Sequence, residues 1–188
     1  EPLPTAMDCD RAPWWLPGGN AQTLWAALYA QRHFGPTPRW QRTRWDTPDG
    51  DFIDVDLSTH TVPPGAPLLV LFHGLEGSSA SQYAVAFADF AASEGLAFAV
   101  PHFRGCSGEI NRAPRAYHSG DFQEIDWILK RLAADHPGRP LLAVGVSLGG
   151  NALLRWAGEM GEGAAHTVRA VAAVCSPLDL AAGGHAIG

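Results

Sequence analysis

Residues 140–154 read P-L-L-A-V-G-V-S-L-G-G-N-A-L-L. An apolar run, 141–144, leads into Gly145-Val146-Ser147-Leu148-Gly149, and a helix-forming segment follows at once. This is G-x-S-x-G between a buried strand and a helix, the context that gives the motif chemical meaning. A serine on so sharp a turn is pushed toward strained backbone angles and needs small neighbours. Gly145 and Gly149 supply that clearance, and Gly150 lets the new helix pack close. The spacing therefore predicts a Ser147 hydroxyl lifted clear of the sheet above a helix N-terminus. The plainer alternative is a Gly-rich turn that carries a surface serine.

A second stretch points the same way. Residues 67–72 (P-L-L-V-L-F) form a short apolar run, ended by His73-Gly74-Leu75-Glu76-Gly77-Ser78-Ser79. Gly74 allows the backbone to turn in toward a bound group.

The chain has 188 residues, 46% hydrophobic and 17% charged, which is about one globular domain. A net charge of -6 without a basic run argues against a nucleic-acid partner. Cys9, Cys106 and Cys175 are scattered and odd in number, so neither a disulfide framework nor structural zinc is expected. No metal-ligand spacing occurs, and no cofactor is implied. No apolar run approaches the about 20 residues that span a bilayer, and no secretory signal opens the chain, so a cytoplasmic location is expected. The first residue is Glu1 and the last stretch is Ala/Gly-rich, which reads as a piece of a longer protein.

Residues 10–20 are an irregular Trp-rich lead-in, with Trp14 and Trp15 read as part of an arm packed on the surface. Asn20 can cap a helix over 21–32. Residues 39–46 and 51–57 read as strands joined by Thr47-Pro48-Asp49-Gly50. Phe52, Asp54 and Asp56 alternate with Ile53, Val55 and Leu57, which predicts one polar, exposed face. Next come the strand 68–72, a helix over 81–94 with Tyr83, Phe87, Phe90 and Ala91 on one face, and a buried strand, 97–102. A long polar loop, 103–119, precedes a helix over 120–135 whose stripe is Phe122, Ile125, Ile128, Leu129 and Leu132. After the Ser147 turn come a helix, 152–160, and another apolar run, 168–175. Strands alternating with helices at this spacing imply a mostly parallel sheet with helices on both faces, fed by an antiparallel pair. The expected organisation is an arm and helix at 1–36, a core at 37–175, and the start of a further element at 176–188.

Several motifs fall in order: Pro13-Trp14-Trp15-Leu16-Pro17-Gly18-Gly19, His73 to Ser79, Phe103-Arg104-Gly105-Cys106-Ser107-Gly108, Asn111-Arg112, Tyr117-His118-Ser119-Gly120, and Gly145 to Asn151. Together they resemble the YheT-like branch of the α/β-hydrolases, over nearly the whole chain. Ile110 stands where the family often has proline, and Asn20-Ala21 where it often has His-Leu.

The resemblance implies a serine esterase or lipase acting on carboxylic esters such as acylglycerols, through an acyl-enzyme on Ser147. It implies backbone oxyanion donors at Leu75 and Leu148, supported by His73, Gly74, Gly145 and Gly149. In that fold the acid and the histidine follow later strands. Both are therefore expected beyond Gly188, the sheet is expected to be cut after about its sixth strand, and residues 1–188 alone are expected to be a poor catalyst. Two alternatives stay open: a non-catalytic binding module of the same fold, and an acyltransferase using the same serine. Chain length, head group and oligomeric state are not legible.

Other candidates are weighed against plainer roles. His185 lies downstream of Ser147 in the order a triad base requires, but in an Ala/Gly-rich tail. Asp179 could be the acid, though a helix cap is the simpler reading. His73 is expected to brace its loop by hydrogen bonding. The loop with Arg104, Glu109, Arg112, Arg115 and His118 is expected to be held by ion pairs. A sharper reading puts Arg104 and His118 at the mouth of the site. Cys106 has no base near it in sequence.

Overall fold

The computed structural model describes residues 14, 15, 35–113 and 122–178. The helix expected at 21–32, together with Cys9, Asn20, Arg115, His118, Asp179 and His185, lies outside the described residues. Two units are distinguished, Glu1–Phe34 and Gly35–Gly188. In the first, only Trp14 and Trp15 are described, and both are exposed.

In the second unit, strands β1 (Trp40–Asp46), β2 (Phe52–Ser58), β3 (Leu68–Phe72), β4 (Ala97–Pro101), β5 (Leu141–Val146) and β6 (Ala170–Val174) form one sheet in the order β1-β2-β4-β3-β5-β6. The β1–β2 and β2–β4 pairs are antiparallel, and β3 runs parallel to β4 and β5, as β5 does to β6. Helices α1 (Gln82–Ser93), α2 (Phe122–Asp135), α3 (Leu148–Met160) and the short α4 (Ala164–Thr167) connect the parallel strands. This is the expected α/β architecture.

Alternation along the strands divides the core. Leu68, Val70 and Phe72 of β3 join Ile125, Ile128, Leu129, Leu132, Leu153 and Trp156 on the side of α2 and α3. Leu69 and Leu71 join Ala84, Ala88 and Ala91 of α1 on the other. All five β3 residues are buried, as a central strand covered on both faces requires.

One reading is refined and one is corrected. First, α1 buries Ala84, Ala88 and Ala91, while Phe90 is half exposed. Small residues at i, i+4 and i+7 let the helix lie close on the sheet, and the aromatic rings are displaced to its flank.

Second, the polar face of β2 is not exposed. Phe52, Asp54 and Asp56 are all buried. The register sets Arg42 opposite Asp56 and Arg44 opposite Asp54, and each arginine forms a two-pronged pair with its aspartate, at 2.7 and 2.8 Å for Asp56 and 2.8 and 2.9 Å for Asp54. The loop after β4 closes over them: Arg42 also donates to the Ser107 carbonyl at 2.8 Å, and His102 lies 2.9 Å from Asp56.

Strand order reverses between β3 and β5. One neighbour of β3 is β4 and the other is β5, so the loops leaving β3 and β5 diverge at the carboxyl edge. In open parallel sheets that crevice is where ligands bind.

Candidate active site

Ser147 is the single residue between β5 and α3. Its φ is 52° and its ψ -120°, a region that side-chain-bearing residues rarely adopt. The turn is held from both sides. The Ser147 N–H donates to the Val174 carbonyl at 2.9 Å, and the Ser147 carbonyl accepts the Asn151 N–H at 3.1 Å. Asn151 Nδ2 donates to the Pro177 carbonyl at 2.8 Å, which ties the helix to the loop after β6.

The glycines around Ser147 are required by close backbone approach. A Cβ on Gly145 would stand 2.5 Å from the Gly150 Cα and 2.6 Å from the Gly149 oxygen. One on Gly149 would run into the carbonyls of Phe72 and His73, and one on Gly150 into the Ser176 hydroxyl. The elbow is thus seated directly on the end of β3.

The loop after β3 closes over it. A Cβ on Gly74 would lie 3.3 Å from the Ser147 Cβ and 3.8 Å from its Oγ. The Gly74 carbonyl sits 2.7 Å from His73 Nδ1 and accepts the Gly77 N–H at 3.0 Å. The peptide is trans, so with its carbonyl turned toward His73 and Gly77 the Leu75 N–H must point the opposite way. The Leu75 side chain is exposed.

His73 is fully buried and uses both ring nitrogens. Nε2 accepts the Phe103 N–H at 3.0 Å, which leaves Nδ1 to carry the proton it donates to the Gly74 carbonyl. Burial lowers its pKa to about 4, with the neighbouring His102 adding to that effect, so the ring is neutral near pH 7. The histidine therefore links the β3 loop to the β4 loop and has no nitrogen left for Ser147. His102 is likewise engaged, by Asp56 at 2.9 Å and the Cys106 carbonyl at 3.3 Å.

Arg104 does not follow the sharper reading. It is nearly buried and bonds Glu124 at 2.6 Å, Asp49 at 2.7 Å and Asp51 at 3.1 Å. Burial works against its charge, but the carboxylates of Asp49 and Glu124 raise its pKa. Arg104 therefore locks the loop to the β1–β2 turn and to α2. Arg44 pairs with Glu109, and Arg112 lies 3.5 Å from Asp46. Cys106 is not an activated thiol, since burial and the charge of Glu76 both raise its pKa.

Sequence reasoning missed the aspartate set beneath these loops. Asp56 accepts from Arg42 and from the Ser79 hydroxyl at 2.6 Å, beside its contact with His102. Burial alone would raise its pKa, but these partners together hold it well below the usual carboxylate range. Asp51 accepts the N–H of Arg112 at 2.8 Å and of Ala113 at 3.4 Å. The signal was present, since Arg42 and Arg44 on β1 share the two-residue spacing of Asp54 and Asp56 across a short turn.

Comparison with known proteins agrees with this geometry. A family model described as the α/β hydrolase fold matches residues 67–186. YheT of Escherichia coli (strain K12), an esterase by name, is 44% identical over 135 residues, covering 71% of this chain and 39% of YheT. Phospholipase ABHD3 of Homo sapiens is 28% identical over 154 residues, covering 79% of this chain and 37% of its own. Among solved structures, the Pyrococcus furiosus esterase Pf2001 superposes with a TM-score of 0.61 at 17% identity, over 76% of this chain and 53% of that one. The chain spans about two fifths of the length of YheT and ABHD3.

Proposed function

Because the chain belongs to the α/β-hydrolase fold family, in its YheT-like branch, we propose that it carries the nucleophile of a carboxylic-ester hydrolase and that the nucleophile is Ser147. The observation that carries this reading is the strained Ser147 backbone at φ 52°, with the Ser147 Cβ 3.3 Å from where a Cβ on Gly74 would stand. Strain of this kind persists only where surrounding structure enforces it, and here it presents a hydroxyl at the sheet's crevice.

In this reading the Ser147 oxygen attacks the ester carbonyl carbon, and a histidine outside the described residues takes its proton. The carbonyl oxygen gains the negative charge, and the N–H groups of Leu75 and Leu148 stabilise it. Collapse expels the alcohol, which takes up the proton from the histidine. Water, activated by the same base, then releases the acid from the acyl-enzyme. Both donors belong to the main chain, so apolar side chains at 75 and 148 are compatible with the chemistry. The names of the relatives, an esterase and a phospholipase, support acyl esters, including acylglycerol-type lipids, as the substrate class.

The test is active-site labelling of the full-length protein with a fluorophosphonate, alongside hydrolysis of p-nitrophenyl esters of short to medium chain length. Ser147→Ala is expected to abolish both. Labelling that survives the substitution overturns the assignment.

A further inference from the structure

Gly74 has no side chain, yet its two flanking peptides must be fixed if the Leu75 N–H is to have one direction. The Gly74–Leu75 peptide is fixed at its carbonyl by His73 and Gly77. The His73–Gly74 peptide is fixed at its N–H, which donates to the Tyr83 hydroxyl at 3.0 Å. Tyr83 stands on the first turn of α1, nine residues along the chain. Gly77 makes room for this arrangement. A Cβ there would collide with the Tyr83 hydroxyl and lie 2.9 Å from the His73 Cβ.

We propose that Tyr83 is a positioning residue for the oxyanion site, holding the Gly74 backbone so that the Leu75 N–H meets the carbonyl oxygen of an ester bound at Ser147. The proposal rests on the Ser147 reading above. Glycine turns about φ and ψ almost freely, so its conformation is set by whatever holds the peptides on either side. His73 and Gly77 hold one of them, and the Tyr83 hydroxyl holds the other. With the Tyr83 hydroxyl removed, the Gly74 N–H loses its acceptor and swings to find another. That turns the next peptide and aims the Leu75 N–H off the oxyanion. The effect falls on the transition state and hardly on ground-state binding.

The test compares full-length wild type, Tyr83→Phe and a control, Phe87→Ala, which alters the same helix and removes no hydrogen-bonding group. Three readouts are taken: kcat and KM on a p-nitrophenyl ester, affinity for a trifluoromethyl ketone whose adduct at serine carries an oxyanion, and the melting temperature. Tyr83→Phe is expected to lower kcat roughly tenfold or more and to weaken the ketone by a similar factor. KM should stay within about twofold, and Phe87→Ala should keep wild-type kcat. Unchanged kcat and ketone affinity in Tyr83→Phe overturn the proposal while leaving Ser147 in place. A loss shared by kcat, KM and melting temperature, or matched by Phe87→Ala, also overturns it, because the hydroxyl would then serve general stability. A wild type without Ser147-dependent turnover removes the Ser147 reading, and this proposal with it.

Discussion

Gly74 and Ser147, from loops that follow different strands, stand with room for no more than a methyl between them: a Cβ on Gly74 would meet the Ser147 Cβ at 3.3 Å and the Val146 carbonyl at 3.5 Å. An alanine there is nearly tolerable, but a branched side chain adds bulk beside a Cβ that is already tight. Gly74→Val is expected to fold and to lose at least roughly tenfold in kcat, because the loop is pushed off the elbow. Steady-state kinetics with a melting curve check this, and full kcat in a folded variant would separate the loop from catalysis.

The elbow glycines differ in kind from the glycine further along α3. Gly145→Ala would place a methyl 2.5 Å from main-chain atoms that cannot move aside. It is expected to destabilise by at least about 2 kcal/mol. Gly158 has nothing within 4 Å of its Cβ position, so Gly158→Ala is expected to stabilise by about 0.5–1 kcal/mol. Urea unfolding of both variants measures the contrast.

Buried His73 makes stability depend on pH. Its folded pKa, about 4, lies below the ordinary value of 6.5, so the unfolded chain binds the proton more readily. The contribution is complete above pH 6.5 and is lost as pH falls toward 4, on the order of 3 kcal/mol in all. His136 is also lowered by burial. It is retained in His73→Asn, which is expected to show a shallower fall in urea midpoint between pH 6.5 and 4. Equal slopes would place the titration elsewhere.

Removing Asp56 leaves His102, Ser79 and Arg42 without their common acceptor. Asp56→Ala is expected to cost about 3 kcal/mol, since a buried charge partner is lost while its counterparts stay in place. Arg112→Ala removes an exposed 3.5 Å pair with Asp46 and a guanidinium contact 5.4 Å from the Phe52 ring, and is expected to shift stability by about 1 kcal/mol or less. Denaturant midpoints distinguish the two.

The elbow and the His73 loop were legible in the sequence because each is a local event. Glycine spacing and an apolar run describe a strand-to-helix turn within fifteen residues. The polar face of β2 was misread for the opposite reason. Alternating Phe52, Asp54 and Asp56 look solvent-facing until the loop after β4 folds over them, and that loop begins more than forty residues later. The buried face of α1 was not legible because hydrophobicity favours Phe90, whereas close packing on β4 favours Ala84, Ala88 and Ala91. Tyr83 falls on the aromatic face of its helix, and nothing in local spacing marks its hydroxyl as the partner of Gly74. Apart from Trp14 and Trp15, the residues of the Trp-rich arm lie outside the described residues, as do Asp179 and His185.

The bonds from Arg112 and Ala113 to Asp51 span sixty-one and sixty-two positions of chain. These two amides belong to a loop, where exchange with solvent deuterium is ordinarily fast. Their shelter comes from one carboxylate beside the β1–β2 turn, so they can exchange only when the hairpin and the loop separate. A pair of amides far along the chain thus serves as an isotopic clock for the parting of their loop from the β1–β2 turn, readable without a mutation.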